Sequence, residues 1–207
     1  VALLASGPGL VWAQQAEMNL KVTDGRLTYD VEYQGKTVIS ASPLGLNVDR
    51  QMLGEEVRIA ANAPAGDGTV TYTIERADGQ TYYVDTRAFD NGVALRYRIP
   101  ADGPRCIYSE QTSYIFPAGT HVWYASGPFQ YGWIQAYQDR GIETVNGELL
   151  APPATFRLPD GTYAAITEAN LFHYHGAVLF GREGNRVQWG YVENKGHLET
   201  GIVTGLP

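Results

Sequence analysis

Asp-Gly and Asn-Gly pairs punctuate this chain at residues 24, 67, 78, 91, 102, 146 and 160. Such pairs favour tight hairpins, because glycine lacks a Cβ and Asn or Asp tolerates a positive φ. The runs between them alternate with period two. Leu20-Lys21-Val22 turns at Asp24-Gly25 into Leu27–Tyr33, where Leu27, Tyr29, Val31 and Tyr33 share one face. Thr69–Glu75 alternates the same way, and Asp78-Gly79 turns it into Thr81–Val84. No stretch carries a convincing three-turn helix. Gln51–Ala61 has a weak helical pattern but also reads as a loop feeding a strand at Val57–Ile59. The expected fold class is all-β, built from antiparallel sheets with little helix.

The 207 residues are 44% hydrophobic, enough for one substantial domain that buries roughly 70% of its unfolded surface. The net charge of −7, with Lys and Arg scattered, argues against a nucleic-acid partner. The single Cys106 rules out an internal disulfide framework and a cysteine zinc site, and reads as a small buried hydrophobe. Phosphate-cradling loops, HExxH, nucleophile elbows and EF-hand loops are absent. His173 and His175 would share a strand face and could make half a metal site. With no third nitrogen or sulfur ligand near, ordinary hydrogen-bonded strand residues are the stronger reading.

Residues 1–13 are small, apolar and uncharged, and then meet Gln14-Gln15-Ala16-Glu17. They read as the remnant of a secretory signal peptide cleaved after Ala13, with a disordered or strand-like N-terminus as the competing reading. Gly7-Pro8-Gly9 and the short length exclude a bilayer span, and nothing else in the chain is a transmembrane candidate. The expectation is a periplasmic or secreted protein, with residues 14–207 as one β-sandwich domain.

The segment Thr167–Tyr174 reads as a buried strand, yet it carries Glu168 near its start. An ionised carboxylate there needs a cation, an arginine or several hydrogen bonds. One reading is a strand-end glutamate, solvated or paired with an arginine. Glu110, Glu143, Glu148, Glu183 and Glu193 are the other acids a glycosidase test would weigh, but spacing alone pairs none of them. No strand–helix alternation exists to build a (β/α)₈ barrel, so no residue of this chain is assigned a catalytic role. Trp123, Tyr124, Phe129, Tyr131 and Trp133 crowd one Gly/Pro-containing loop and are candidate sugar contacts; core packing or packing against a neighbouring domain is the plainer alternative.

Several of these segments together are distinctive. Ser42-Pro43-Leu44-Gly45-Leu46, Arg87–Arg98 around Asp90-Asn91-Gly92, and Leu158–Tyr163 leading into Ile166–Leu171 resemble, in order and spacing, the N-terminal domain of glycoside hydrolase family 97. The resemblance runs from about Leu20 to Gly181. It implies a galactose-mutarotase-like β-super-sandwich that precedes a catalytic (β/α)₈ barrel and a smaller β-domain. It implies cleavage of α-glucosides or α-galactosides in oligo- or polysaccharides, by enzymes with an active-site calcium. By motif position, Glu168 of the Thr-Glu-Ala-Asn run resembles the one calcium ligand this domain sends to the barrel's glutamates, and calcium's demand for oxygen ligands suits a carboxylate. On this reading the chain alone is inactive and its partner is the downstream barrel. A free-standing carbohydrate-binding β-sandwich is the alternative, and an adhesion-type sandwich a more distant one.

Overall fold

The computed structural model of the chain describes residues 2–6, 16–127, 136–169, 174, 176–192 and 197–204. Strand β1 (Ala2–Ser6) precedes a meander of β2 (Ala16–Thr23), β3 (Arg26–Tyr33) and β4 (Lys36–Pro43). A short hairpin follows, β5 (Leu46–Val48) and β6 (Gln51–Leu53). A longer meander then runs through β7 (Val57–Pro64), β8 (Thr69–Arg76), β9 (Thr81–Phe89) and β10 (Gly92–Arg98). The chain continues through β11 (Arg105–Glu110), β12 (Ser113–Ile115), β13 (His121–Ser126) and β14 (Tyr137–Gly141), with one 3₁₀ turn at Ile142–Thr144. It closes with β15 (Leu149–Arg157), β16 (Tyr163–Thr167), β17 (Val178–Arg182), β18 (Arg186–Gly190) and β19 (His197–Thr204).

These strands form three antiparallel sheets. The large one runs β12-β18-β17-β15-β16-β1-β10-β9-β8-β7, with β13 paired to β15 and β14 to β13. The others run β19-β11-β5-β6 and β2-β3-β4. Turn chemistry sets the register. Asp24 and Gly25 take φ of 50° and 73°, which pairs Thr23 with Arg26 and carries the ladder to Ala16 opposite Tyr33. Gln34-Gly35 makes the next turn with φ of 53° and 72° and no Asp or Asn to announce it.

The alternating faces read from the sequence point as expected: Leu27, Tyr29, Val31 and Tyr33 are all buried, as are Ala16, Met18 and Leu20 opposite them. They pack toward the inner face of the large sheet, where Tyr82, Val84, Val93 and Leu95 are buried. Each fully buried side chain of this size contributes roughly 1.5–3 kcal/mol. Polar bonds join the layers. The Tyr29 hydroxyl donates to the Ser113 carbonyl at 2.7 Å, and the Ile115 N–H donates to Ser42 Oγ at 2.8 Å. Tyr29 meets Tyr114 edge-on, and Phe116 stacks on Phe156 at 4.1 Å.

Of the two readings open for Gln51–Ala61, the strand at Val57–Ile59 stands within β7, and the stretch before it carries the short β6, because partners across the ladder outweigh local propensity. Two expectations are corrected. Cys106 is half-buried on β11, with its N–H donating to Asp49 Oδ1 at 2.8 Å, and is not a core residue. The strand expected through Thr167–Tyr174 ends at Thr167, so Glu168 lies just beyond β16. The N-terminal segment contributes β1, whose backbone pairs with β10 on one side and β16 on the other. No helix among the described residues is long and apolar enough to cross a membrane.

Candidate functional site

Alternation along β16 delivers Glu168 to its place. Ala164 and Ile166 are buried in the core, while Tyr163, Ala165 and Thr167 face the other way. The next residue, Glu168, is half-buried where the strand ends. Its two carboxylate oxygens accept the Ala177 backbone N–H at 3.2 and 3.3 Å. Ala177 directly precedes β17, whose Val178 and Leu179 are fully buried, so the carboxylate is tethered to a firm strand start.

A second acid stands at the end of β11. Glu110 is buried, and burial pushes its carboxyl up to about 7; the Thr112 hydroxyl bond counters this and the negative charge of Glu168 adds to it. Phenols surround the pair. Burial first, and then the charge of Glu110, raises the Tyr97, Tyr114, Tyr174 and Tyr191 hydroxyls above their ordinary value. They are held in a polar network: Tyr97 and Thr112 hydroxyls meet at 3.0 Å, Trp189 Nε1 donates to the Tyr114 hydroxyl at 2.8 Å, and the Tyr191 hydroxyl donates to that of Tyr174 at 2.7 Å.

The arrangement offers one anchored carboxylate and, within reach of its charge, a buried acid pushed up to about 7. Among the described residues no three His, Cys, Asp or Glu side chains gather to hold a metal. As a calcium ligand Glu168 would supply one hard oxygen donor, and the other five to seven of the roughly six to eight positions that calcium fills would need oxygens from elsewhere.

The fold sorts the other candidates. Glu143 and Glu183 are exposed and Glu148 is half-buried. Tyr124 is a core residue, whereas Trp123, its neighbour on β13, is half-buried and stacks with Tyr163 at 6.2 Å. Glu193, His173, His175, Phe129, Tyr131 and Trp133 lie outside the described residues. Sequence reasoning missed the neighbourhood of Glu110 and Glu168, since the two are 58 positions apart in the chain. It also missed Tyr163 and Arg157 beside Trp123, although the alternation of Tyr163, Ala165 and Thr167 signals an outward face.

A family model described as Glycosyl-hydrolase 97 N-terminal matches residues 13–201. The chain belongs to this family, as its N-terminal domain. Among curated relatives of this family 97 domain, a probable retaining α-galactosidase of Streptomyces bingchenggensis is 29% identical over 185 residues, covering 80% of the chain and 28% of the relative. A retaining α-galactosidase of Bacteroides thetaiotaomicron is 25% identical over 195 residues, covering 80% and 30%. The domain thus spans about a third of the length of the curated relatives it matches. A family 97 enzyme from Pseudoalteromonas sp. strain K8, solved with acarbose, superposes with a TM-score of 0.73 at 23% identity, over 90% of this chain and 32% of that one. A β-arabinopyranosidase gives 0.79 at 23% identity, over 93% and 37%. These structural likenesses establish the all-β fold.

Proposed function

We propose that this family 97 domain supports and completes the active site of a calcium-dependent α-glycosidase, acting on α-galactosides or α-glucosides in oligo- or polysaccharides. The observation that carries the reading is Glu168. Its carboxylate stands just past the end of β16, held through both oxygens by the Ala177 N–H, and its charge reaches the buried Glu110, whose carboxyl burial pushes up to about 7. The names of the curated relatives and their threefold greater length support a downstream catalytic barrel as the partner.

In this reading a bound calcium supplies positive charge beside the reacting sugar. This chain's own residues hold one of its ligands in place. The Ala177 N–H fixes the orientation of Glu168, and burial pushes the Glu110 carboxyl up to about 7, so that it takes up a proton more readily than an ordinary carboxylate. The domain by itself carries no assigned acid–base pair, so it should not hydrolyse aryl α-galactosides or α-glucosides. Turnover by the purified 207-residue chain that disappears on a single Glu substitution would overturn the reading and favour a self-contained enzyme. Binding without turnover, from a gene that ends here, would favour the free-standing carbohydrate-binding sandwich.

Export belongs to the same proposal. The family match beginning at residue 13 supports residues 1–13 as a secretory leader of a periplasmic or secreted protein. The pairing of Ala2–Ser6 with β10 and β16 favours the competing reading, a retained first strand.

A further inference from the structure

The outward face of the large sheet, on the side opposite the core, carries a second cluster of sugar-compatible groups. Trp123 and Tyr163 stand two strands apart, on β13 and β16, with β15 between them. Their ring centroids lie 6.2 Å apart with the planes at 21°, near-parallel. Tyr163 is 43% exposed and Tyr137, on the same face of β14, is 66% exposed. Polar groups attend the rings. The Arg157 guanidinium lies over the indole ring, 5.5 Å from its centroid, and Asp139, directly across the ladder from Trp123, bonds His121 Nδ1 at 3.1 Å.

The geometry points to a glycan-binding platform on this face, taking an uncharged pyranose chain. A pyranose presents an apolar face of C–H groups, slightly positive, to the negative face of an aromatic ring. Its rim of hydroxyls needs donors and acceptors close by, which the Arg157 guanidinium over the indole and the Asp139 carboxylate provide. The charges of Arg157 and Asp139 cancel, so the patch is neutral on a chain of net charge −7 and suits a neutral ligand. Three aromatic side chains on one face, Trp123, Tyr163 and Tyr137, favour a chain of sugars over a single one. The platform is separate from Glu168: Tyr163 starts β16 and Glu168 follows its end, and the four steps from Tyr163 to Thr167 cover about 13 Å. The inference does not rest on the calcium reading. It assigns a holding site for substrate polymer away from the reacting end.

Affinity electrophoresis of the full-length protein in native gels tests it, with galactomannan or soluble starch cast into the gel as the probe. The wild-type protein should be retarded by at least one polysaccharide relative to a blank gel. Trp123→Ala and Tyr163→Ala should each weaken the apparent affinity by about tenfold or more, while Trp123→Tyr retains part of it. Glu168→Gln should be retarded like wild type even as calcium dependence changes, which separates this platform from the proposed active-site role. If Trp123→Ala fails to fold, Tyr163→Ala decides, since that side chain is already exposed. Equal mobility of wild type in blank and polysaccharide gels overturns the inference. So does undiminished retardation of Tyr163→Ala, or a Trp123→Ala that melts lower but is retarded as before, which would mark the face as a domain contact.

Discussion

Glu168 and Ala177 are joined across a nine-residue excursion by one backbone N–H that both carboxylate oxygens accept, at 3.2 and 3.3 Å. The bond closes the segment between β16 and β17 and aims the carboxylate. A chelating backbone contact of this kind restricts rotation of the side chain, which lowers the ordering cost of binding a cation.

Glu168→Gln in the full-length enzyme keeps the shape and removes the charge. Calcium affinity should fall by tenfold or more, on the order of the 10–100-fold seen when support of a metal site is lost. Activity should fall at low calcium and recover in part at high calcium. Calcium titrations of activity, and of thermal unfolding as an activity-independent readout, check this. Wild-type calcium dependence in the variant would reduce Glu168 to a strand-end charge.

Asp85 should govern acid stability. It is buried on β9 and bonded by Thr71 Oγ1 at 2.7 Å, Arg96 Nε at 2.8 Å, and Arg98 Nε and Nη2 at 2.7 and 3.0 Å. The Arg98 bonds first, with Thr71 and Arg96 adding, hold its carboxyl well below the ordinary value of 3.8 against the opposing effect of burial. A depressed value stabilises the fold fully above that ordinary value, and the contribution is lost as pH falls below it. Asp85→Asn should cost about 2 kcal/mol at pH 7, and the gap from wild type should shrink below pH 3.8. Urea unfolding at pH 7 and pH 3 measures it; a constant gap would refute the ion-pair account.

Gly181 on β17 leaves no room for a side chain. A Cβ there would lie 1.7 Å from the Val145 carbonyl oxygen, while the Gly181 N–H donates to Glu148 O at 2.9 Å and its carbonyl accepts from Gly147 at 3.1 Å. Gly181→Ala must displace backbone and should cost 1–3 kcal/mol or more, roughly the cost of overpacking a core. Gly184→Ala is the contrast: its Cβ meets open space, so its cost comes only from a φ of +75°. Thermal melts of the pair should show the larger loss at Gly181.

Tyr114→Phe removes the hydroxyl that accepts the buried Trp189 indole N–H at 2.8 Å. The orphaned donor should cost about 1–3 kcal/mol, read as a fall of roughly 2–4 °C in Tm for each kcal/mol in a domain of this size. An unchanged Tm would mean the indole N–H finds another acceptor.

Cleavage after Ala13 predicts that exported protein begins at Gln14, and N-terminal sequencing of protein from the periplasm or medium decides it. A mature chain that keeps Ala2–Ser6 would confirm β1 between β10 and β16 and remove the leader from the proposal.

The sequence by itself determined the local terms. Asp24-Gly25 selects a tight turn because its φ values suit a hairpin, and the period of Leu27, Tyr29, Val31 and Tyr33 states which face is buried before any partner is known. It likewise marked Glu168 as a carboxylate out of keeping with its apolar neighbours, though it overran the end of the strand by placing β structure past Thr167. Which distant residues meet was settled by packing. Gln51–Leu53 became strand because β5 lies alongside it, and Glu110 at the end of β11 came within reach of the charge of Glu168. Trp123 found Tyr163 across β15, and its neighbour Tyr124 went to the core, a difference that a one-residue shift in strand register would reverse. Local patterns report the energy of each residue with its own backbone and with water. Pairing between distant strands depends on register and sheet order, which are settled only when the whole core closes at once.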